Sequence, residues 1–471
     1  MTRNCSRLRR LRSLGWLTAG ALAALALTIP LVVFTGAAGA GKRQSASADD
    51  LLDATYSPVK LRAAGDPQEI RYDISCVPSD GNPDGNGSCD ASGIVYFRAP
   101  GASATVALRL DPAAQSGRYV AAVPAAIWAS QWFTYYAVIR DNATGHSIAL
   151  PQGGSAAPQI SFAINGPTID LGEHPFGSTR PTAARVAQAS WGSGDGQVGL
   201  EDGIDQPAGA SAFDVDSSGN VYLLDEANGR LLEYSGSSTP TAVALPGLAG
   251  VRGDLRVSAA SGTAYVLEMT TANQPAPVLR AFTLQGTPLG ASQVADTTAA
   301  QIRLSESSAY VSEYPSSMWV PVLQSNGQSA VDAASQVARE VPGIPAAEGS
   351  VVVSSLGNEI RVGAYVPTGT TYRVTSARLT SSTPVAEVQL AQVLPSGRIV
   401  VVFSVYTDTD HEYEAVILDQ SGNVLEQFSL PAYDWAQSMP LSHFRLDGSS
   451  LYELGSTSAG VFVDRYDLGV S

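Results

Sequence analysis

The stretch "GDGQVGLEDGIDQPAGASAFDVDSSGNVYLLDEANGRLLEY", Gly194–Tyr234, decides how this chain is read. Its glycines and carboxylates could mark a binding site or could simply turn strands. Two runs of strand-forming residues, "AFDV" and "VYLLD", flank "DSSGN", a hairpin signal in which Gly supplies positive φ and Asp or Asn caps nearby backbone N–H groups. A second turn, "DEANGR", precedes another apolar run, and Arg230 is spaced to pair with Asp225 across it. Asp216, Gly219, Asp225, Asn228 and Arg230 therefore read as turn formers.

The strand–turn–strand unit recurs. "FDVDSSGNVYLLD" at Phe213 is followed by "LRVSAASGTAYVLE" at Leu255, "IRLSESSAYVSEY" at Ile302, "VVVSSLGNEIRVGAY" at Val351, "VQLAQVLPSGRIVVVF" at Val388 and "FRLDGSSLYELG" at Phe444. The mean spacing, about 46 residues, suits a propeller blade of four strands. One blade cannot cover both faces of its own sheet, so blades must pack side by side around an axis. Six units predict a six-bladed β-propeller over residues 183–471, closed by pairing "ARVAQASW" with the last unit near "GVFVDRYDL".

On Gly194, Gly196, Gln197, Pro207, Gly209, Asp214, Asp216, Gly219, Asn220, Tyr222, Asp225, Asn228 and Arg230 the opening stretch resembles an NHL repeat. It departs by inserting "VGLEDGID" between the Gln and the Pro, and the later units lose the Asp-x-x-Asn-x-Arg ending. The resemblance implies a propeller related to that family. Gly194, Gly196 and Gly199 also spell G-x-G-x-x-G, but a dinucleotide fingerprint needs a strand before it and a helix after it, and "LEDGIDQPAG" supplies neither a helix start nor room for a pyrophosphate among its acids.

Composition agrees with an all-β chain. Charged residues are only 15% of the 471, and 45 Gly and 28 Pro punctuate short apolar runs. Seven of the 28 basic residues lie before residue 44, which leaves 21 against 43 acids in the remainder. Such a surface repels polyphosphate, so nucleic acid is excluded as a partner.

Residues 1–12 read as a basic cytoplasmic tail and 13–41 as a transmembrane helix acting as anchor, because Ser13 to Gly41 contains no charge and exceeds the roughly 20 apolar residues that span a bilayer. The alternative is a signal peptide cleaved after "AGA", Ala38–Ala40. Either reading exports the bulk of the chain, and the first places it at the cell membrane with its C-terminal part outside. Residues 42–65 show no sustained period and read as a stalk linker. Residues 66–164 carry alternating runs such as "EIRYDISCV", "GIVYFRA" and "WFTYYAVIRD", the pattern of a β-sandwich. "GRYVAAVP" and "FTYYAVIRDNATG" resemble late strands of immunoglobulin-like or fibronectin-like surface modules. Residues 165–182 form a connector.

Cys76 and Cys89, with twelve residues between them and exported together, predict one disulfide. Between them Asp80, Asn82, Asp84 and Asn86, with Asp90 beyond, match the first part of a calcium loop, although the twelfth place holds Ala91 rather than Glu. A solvated hairpin tip explains the same residues. No other cofactor or catalytic motif stands out. The run "YTDTDHEYE" gathers acids around His411 but reads as a hairpin loop, and "WASQWFTYY" at Trp128–Tyr136 reads as a core strand rather than a sugar platform. The functional expectation is therefore non-catalytic recognition of an extracellular protein, peptide or glycan. The alternative is a cation-dependent lactonase or lyase of the gluconolactonase type, drawing on Asp216, Asp225, Glu226 and Asn228.

Overall fold

In the computed structural model the described residues are 52–76, 90–201, 207–236, 239–248, 253–269, 276–294, 299, 301–304, 308–313, 318–324, 326–329, 344–346, 349–368, 371–394, 396–436 and 442–469. Among them the chain is nearly all β, with one α-helix, Ala125–Trp128.

Two sheets come first. Sheet A joins Leu52–Tyr56, Glu69–Cys76, Arg118–Ala122 and Asp111–Pro112; sheet B joins Leu61–Arg62, Gln159–Ala163, Trp132–Asp141, Ala91–Arg98 and Val106–Arg109, with Ser147–Leu150 paired to Trp132–Asp141. Period-2 alternation turns Ile70 and Tyr72 of one sheet toward Val95, Phe97 and Phe133 of the other, and they share one core. The aromatic run at Trp128–Tyr136 supplies that core, since Phe133 and Tyr135 are fully buried.

Six further sheets follow. Sheet I is Ala212–Val215, Val221–Asp225, Arg230–Tyr234 and Thr241–Ala244; sheet II is Gly253–Ser258, Thr263–Glu268, Val278–Thr283 and Pro288–Gln293; sheet III is Ile302–Leu304, Ser308–Glu313 and Met318–Gln324. Sheet IV is Ile344–Ala346, Gly349–Leu356, Glu359–Thr368 and Thr371–Thr380; sheet V is Val385–Val393, Ile399–Tyr406, His411–Leu418 and Val424–Pro431; sheet VI is Phe444–Asp447, Ser450–Thr457 and Gly460–Asp467. Ala184–Ser190 completes sheet VI by antiparallel pairing with Gly460–Asp467, so the start and the end of this region share one sheet.

The arrangement is propeller-like. Ala212–Val215 packs against Gly253–Ser258 on one side and Phe444–Asp447 on the other, and Val385–Val393 packs against both Gly349–Leu356 and Phe444–Asp447. Middle strands are buried on both faces because a neighbouring sheet lies on each side. This is why "VYLLD", "TAYVLE" and "IVVVFSV" are continuous apolar runs rather than alternating ones, whereas the outer strands Thr241–Ala244 and Pro288–Gln293 are largely exposed. The cores lie between sheets: Leu223 and Phe213 meet Leu454 and Val463, Leu224 meets Leu255 and Val266, and Val401 meets Val362.

Three expectations need correction. The membrane placement expected from residues 13–41 does not stand: among the described residues no helix is long and apolar enough to cross a membrane, and residues 1–51 lie outside them. The stalk expected over 42–65 is structured from Leu52, because Leu52, Ala54 and Tyr56 turn inward and the strand pairs with Glu69–Cys76, a short alternation masked in sequence by flanking acids. The connector 165–182 is also built in: Thr168–Asp170 adds to sheet IV as a strand parallel to Thr371–Thr380. The disulfide expected between Cys76 and Cys89 is not shown; Cys76 ends a strand and Cys89 lies outside the described residues.

Sheet B rests on sheet IV. Leu61, Phe162 and Ile164 share a core with Val352 and Tyr365, and the Phe162 and Tyr365 rings stack with centroids 3.7 Å apart. Beside them Arg361 reaches both carboxylate oxygens of Asp66, at 2.5 and 2.7 Å.

Candidate functional site

The glycine-rich loop that opens sheet I satisfies itself. Gly194 N–H donates to Gln197 Oε1 at 2.8 Å and Gly199 N–H donates to Asp225 Oδ1 at 2.9 Å, so the amides a phosphate would need are already used. A Cβ at Gly199 would sit 2.5 Å from the Ala227 Cβ, which explains glycine there. Asp225, fully buried, also accepts from Asn228 Nδ2 at 2.9 Å and Arg230 Nε at 2.8 Å, while Arg230 donates onward to the carbonyls of Gly194 and Gln197. Asp216 accepts from the backbone N–H of Ser218 and Asn220 around Gly219, whose φ is +81°, and from the Tyr222 hydroxyl.

The residues weighed for a cation do not converge. Asp216 lies at the turn before Val221–Asp225, and Asp225, Glu226 and Asn228 lie at the other end of that strand, on the order of 15 Å away at 3.3 Å per residue. Glu226 is buried; its Oε2 accepts from Ser211 N–H, and burial raises its carboxyl to about 8. Of the calcium candidates, Asp80, Asn82, Asp84 and Asn86 lie outside the described residues, and the exposed Asp90 accepts from Asn142 Nδ2 at 3.0 Å. No group of three or more His, Cys, Asp or Glu side chains is placed to hold a metal among the described residues.

Two features that the sequence motifs do not announce occupy the end of the ring where the innermost strands begin. The first is aromatic. Trp191, just after Ala184–Ser190, and Trp435, before Phe444–Asp447, face each other with centroids 5.9 Å apart, and Trp435 remains 39% exposed. Trp191 and Tyr433 line a small pocket with Ala210, His443 and Ser456. Burial lowers the His443 imidazole to about 4, so it is neutral at physiological pH. His411 Nδ1 lies 3.3 Å from Asp434 Oδ2 close by in sequence to Trp435.

The second is ionic. Arg445 of sheet VI donates to Asp254 of sheet II at 2.6 Å, past sheet I between them, and Ser442 donates to the same carboxylate. Arg256 pairs with Asp214 at 2.9 Å. Asp214 Oδ2 accepts Val257 N–H at 2.6 Å and Asp254 Oδ2 accepts Ile302 N–H at 2.7 Å, so each carboxylate also ties its sheet to the next. Asp214, Arg256, Arg303 and Arg445 each directly follow the first apolar residue of a repeat unit; read down the repeats, "FDV", "LRV", "IRL" and "FRL" place them at one recurring position. That column is the signal that motif reading along the chain passes over.

A third cluster fixes the former connector. His174, buried, bonds Glu414 through Nδ1 and Glu412 through Nε2 at 2.8 Å, and its N–H donates to Thr383. Burial opposes a charge there, but the two glutamates outweigh it and raise the imidazole above its ordinary value.

No family model matches the chain, and no curated protein matches it. Among solved structures it is similar to virginiamycin B lyase from Staphylococcus aureus, at 9% identity and a TM-score of 0.31 over 55% of this chain and 94% of that one. A protein from Lactobacillus plantarum has 10% identity and a TM-score of 0.32 over 80% and 93% of the respective chains. A luciferin-regenerating enzyme has 10% identity and a TM-score of 0.32 over 56% and 92%. Likeness at this level assigns no ligand or reaction to this chain, whose architecture rests on its own strand pairings.

Proposed function

We propose that this chain is a non-catalytic recognition protein in which an immunoglobulin-like sandwich precedes an NHL-like six-bladed propeller, and that its partner is a protein, peptide or glycan. The observation that carries the reading is the Trp191–Trp435 pair, with Trp435 39% exposed beside a pocket on the loop-bearing end of a rigid ring. Exposed tryptophan held by a packed neighbour offers a large contact area with little side-chain entropy to lose. Loops on a rigid scaffold are also where binding residues concentrate. The lactonase or lyase alternative draws on acids that sit at opposite ends of one strand and are engaged in turns, which favours recognition.

Peptide and glycan arrays probed with the full chain test this. Binding that falls at least tenfold in Trp435→Ala supports the reading. Binding indifferent to that change, or lactone turnover accompanied by stoichiometric metal, contradicts it.

A further inference from the structure

Among the described residues, the ionic cluster at the beginning of the innermost strands is one negative charge short. Three guanidinium groups, Arg256, Arg303 and Arg445, share it with two carboxylates, Asp214 and Asp254. Both carboxylates are engaged: Asp214 by Arg256, Arg445 and Val257 N–H, Asp254 by Arg445, Ser442, Leu255 N–H and Ile302 N–H. Arg303 is left over. It is 7% exposed, its guanidinium carbon stands 5.8 Å from the centre of the Trp319 ring, and among the described residues no hydrogen-bond acceptor meets it.

A guanidinium presents five donors in a planar fork and matches oxyanions in two-point contact. Burying one without an acceptor is unfavourable unless an anion completes it. Burial, then repulsion from Arg256 and Arg445, pulls the Arg303 group down to about 9 despite Asp254 and Asp214. Each of these effects would be relieved by one added negative charge.

We propose that Arg303, flanked by Arg256 and Arg445, is the receptor for a single small oxyanion, the carboxylate or phosphate group of a ligand entering at the ring's centre. The site differs from the Trp191–Trp435 pair, and each can fail without the other.

The test uses the full chain with inorganic phosphate and with acetate, against chloride at matched ionic strength, reading melting temperature and calorimetric binding. The wild type gains melting temperature with phosphate, acetate or both, which also identifies the preferred oxyanion. Arg303→Met, which keeps the aliphatic stem and removes the charge, melts higher than wild type without anion and loses the response. Arg303→Lys folds with its charge kept and binds at least tenfold more weakly, so it decides the matter should the Met variant not fold. Trp435→Ala responds like wild type. No response to either anion in wild type, or an equal response in the Arg303 variants, overturns the proposal.

Discussion

Arg230 Nε lies 2.8 Å from Asp225 Oδ2, and this pair is the knot of the opening stretch. Asp225 is fully buried and joins the turn after Val221–Asp225 to the loop at Gly199, while Arg230 carries the bond on to Gly194 and Gln197. The acids and glycines of that stretch are thus spent on holding sheet I to the strand that closes the ring. Replacing Asp225 by Ala strands the guanidinium and the Gly199 N–H together. We expect a loss of about 3–5 kcal/mol in urea unfolding, the cost of breaking a buried pair from one side. A loss below about 1 kcal/mol would show that solvent takes over the carboxylate's role.

Glu226 gives a pH signature. Its carboxyl is raised to about 8 by burial, so the folded state keeps a proton that the unfolded chain releases near the ordinary Glu value of 4.5. Stability from this group is complete below 4.5, declines as pH rises toward about 8, and is level above it. Glu226→Gln keeps an acceptor for Ser211 N–H and has no proton to lose. Its melting temperature should exceed that of wild type increasingly from pH 5 to about 8; parallel pH curves for the two proteins would contradict the assignment.

How much of this was legible beforehand varies with the element. The strand–turn–strand units at Phe213, Leu255, Ile302, Val388 and Phe444 fall on the strands nearest the ring's centre, because a hairpin between doubly buried strands leaves an apolar–turn–apolar trace that needs no tertiary knowledge. The unit at Val351 falls one strand further out, since Ile344–Ala346 is too short to leave such a trace. The strand Leu52–Tyr56 was hidden for the same reason. The axial charges were legible only as a column across repeats: a lone Arg in "IRL" reads as a strand residue, and only the packing of the sheets reveals that it feels the charges of Arg256 and Arg445. Trp435 lay in no motif, and its pairing with Trp191 spans most of the ring's sequence.

His174 clamps the segment after sheet B onto sheet V, and its charge should be measurable. The imidazole is raised above its ordinary 6.5 by Glu414 and Glu412 acting against burial. A raised His contributes fully below 6.5 and loses its contribution as pH climbs through the folded value. Wild type should therefore lose melting temperature relative to His174→Gln as pH rises above about 6.5, with the difference largest on the acid side. A difference independent of pH from 5 to 9 would mean the clamp works without the charge.

The most direct test of the account is a double-mutant cycle on Asp254→Asn and Arg445→Met, residues of sheets II and VI whose side chains meet at 2.6 Å past sheet I because these three sheets turn about a common axis. Urea unfolding of the four proteins should give a coupling of about 1–3 kcal/mol, the range for neighbours in one ionic network. Additive effects, within about 0.5 kcal/mol, would place the two residues apart and contradict the propeller-like packing of sheets VI, I and II.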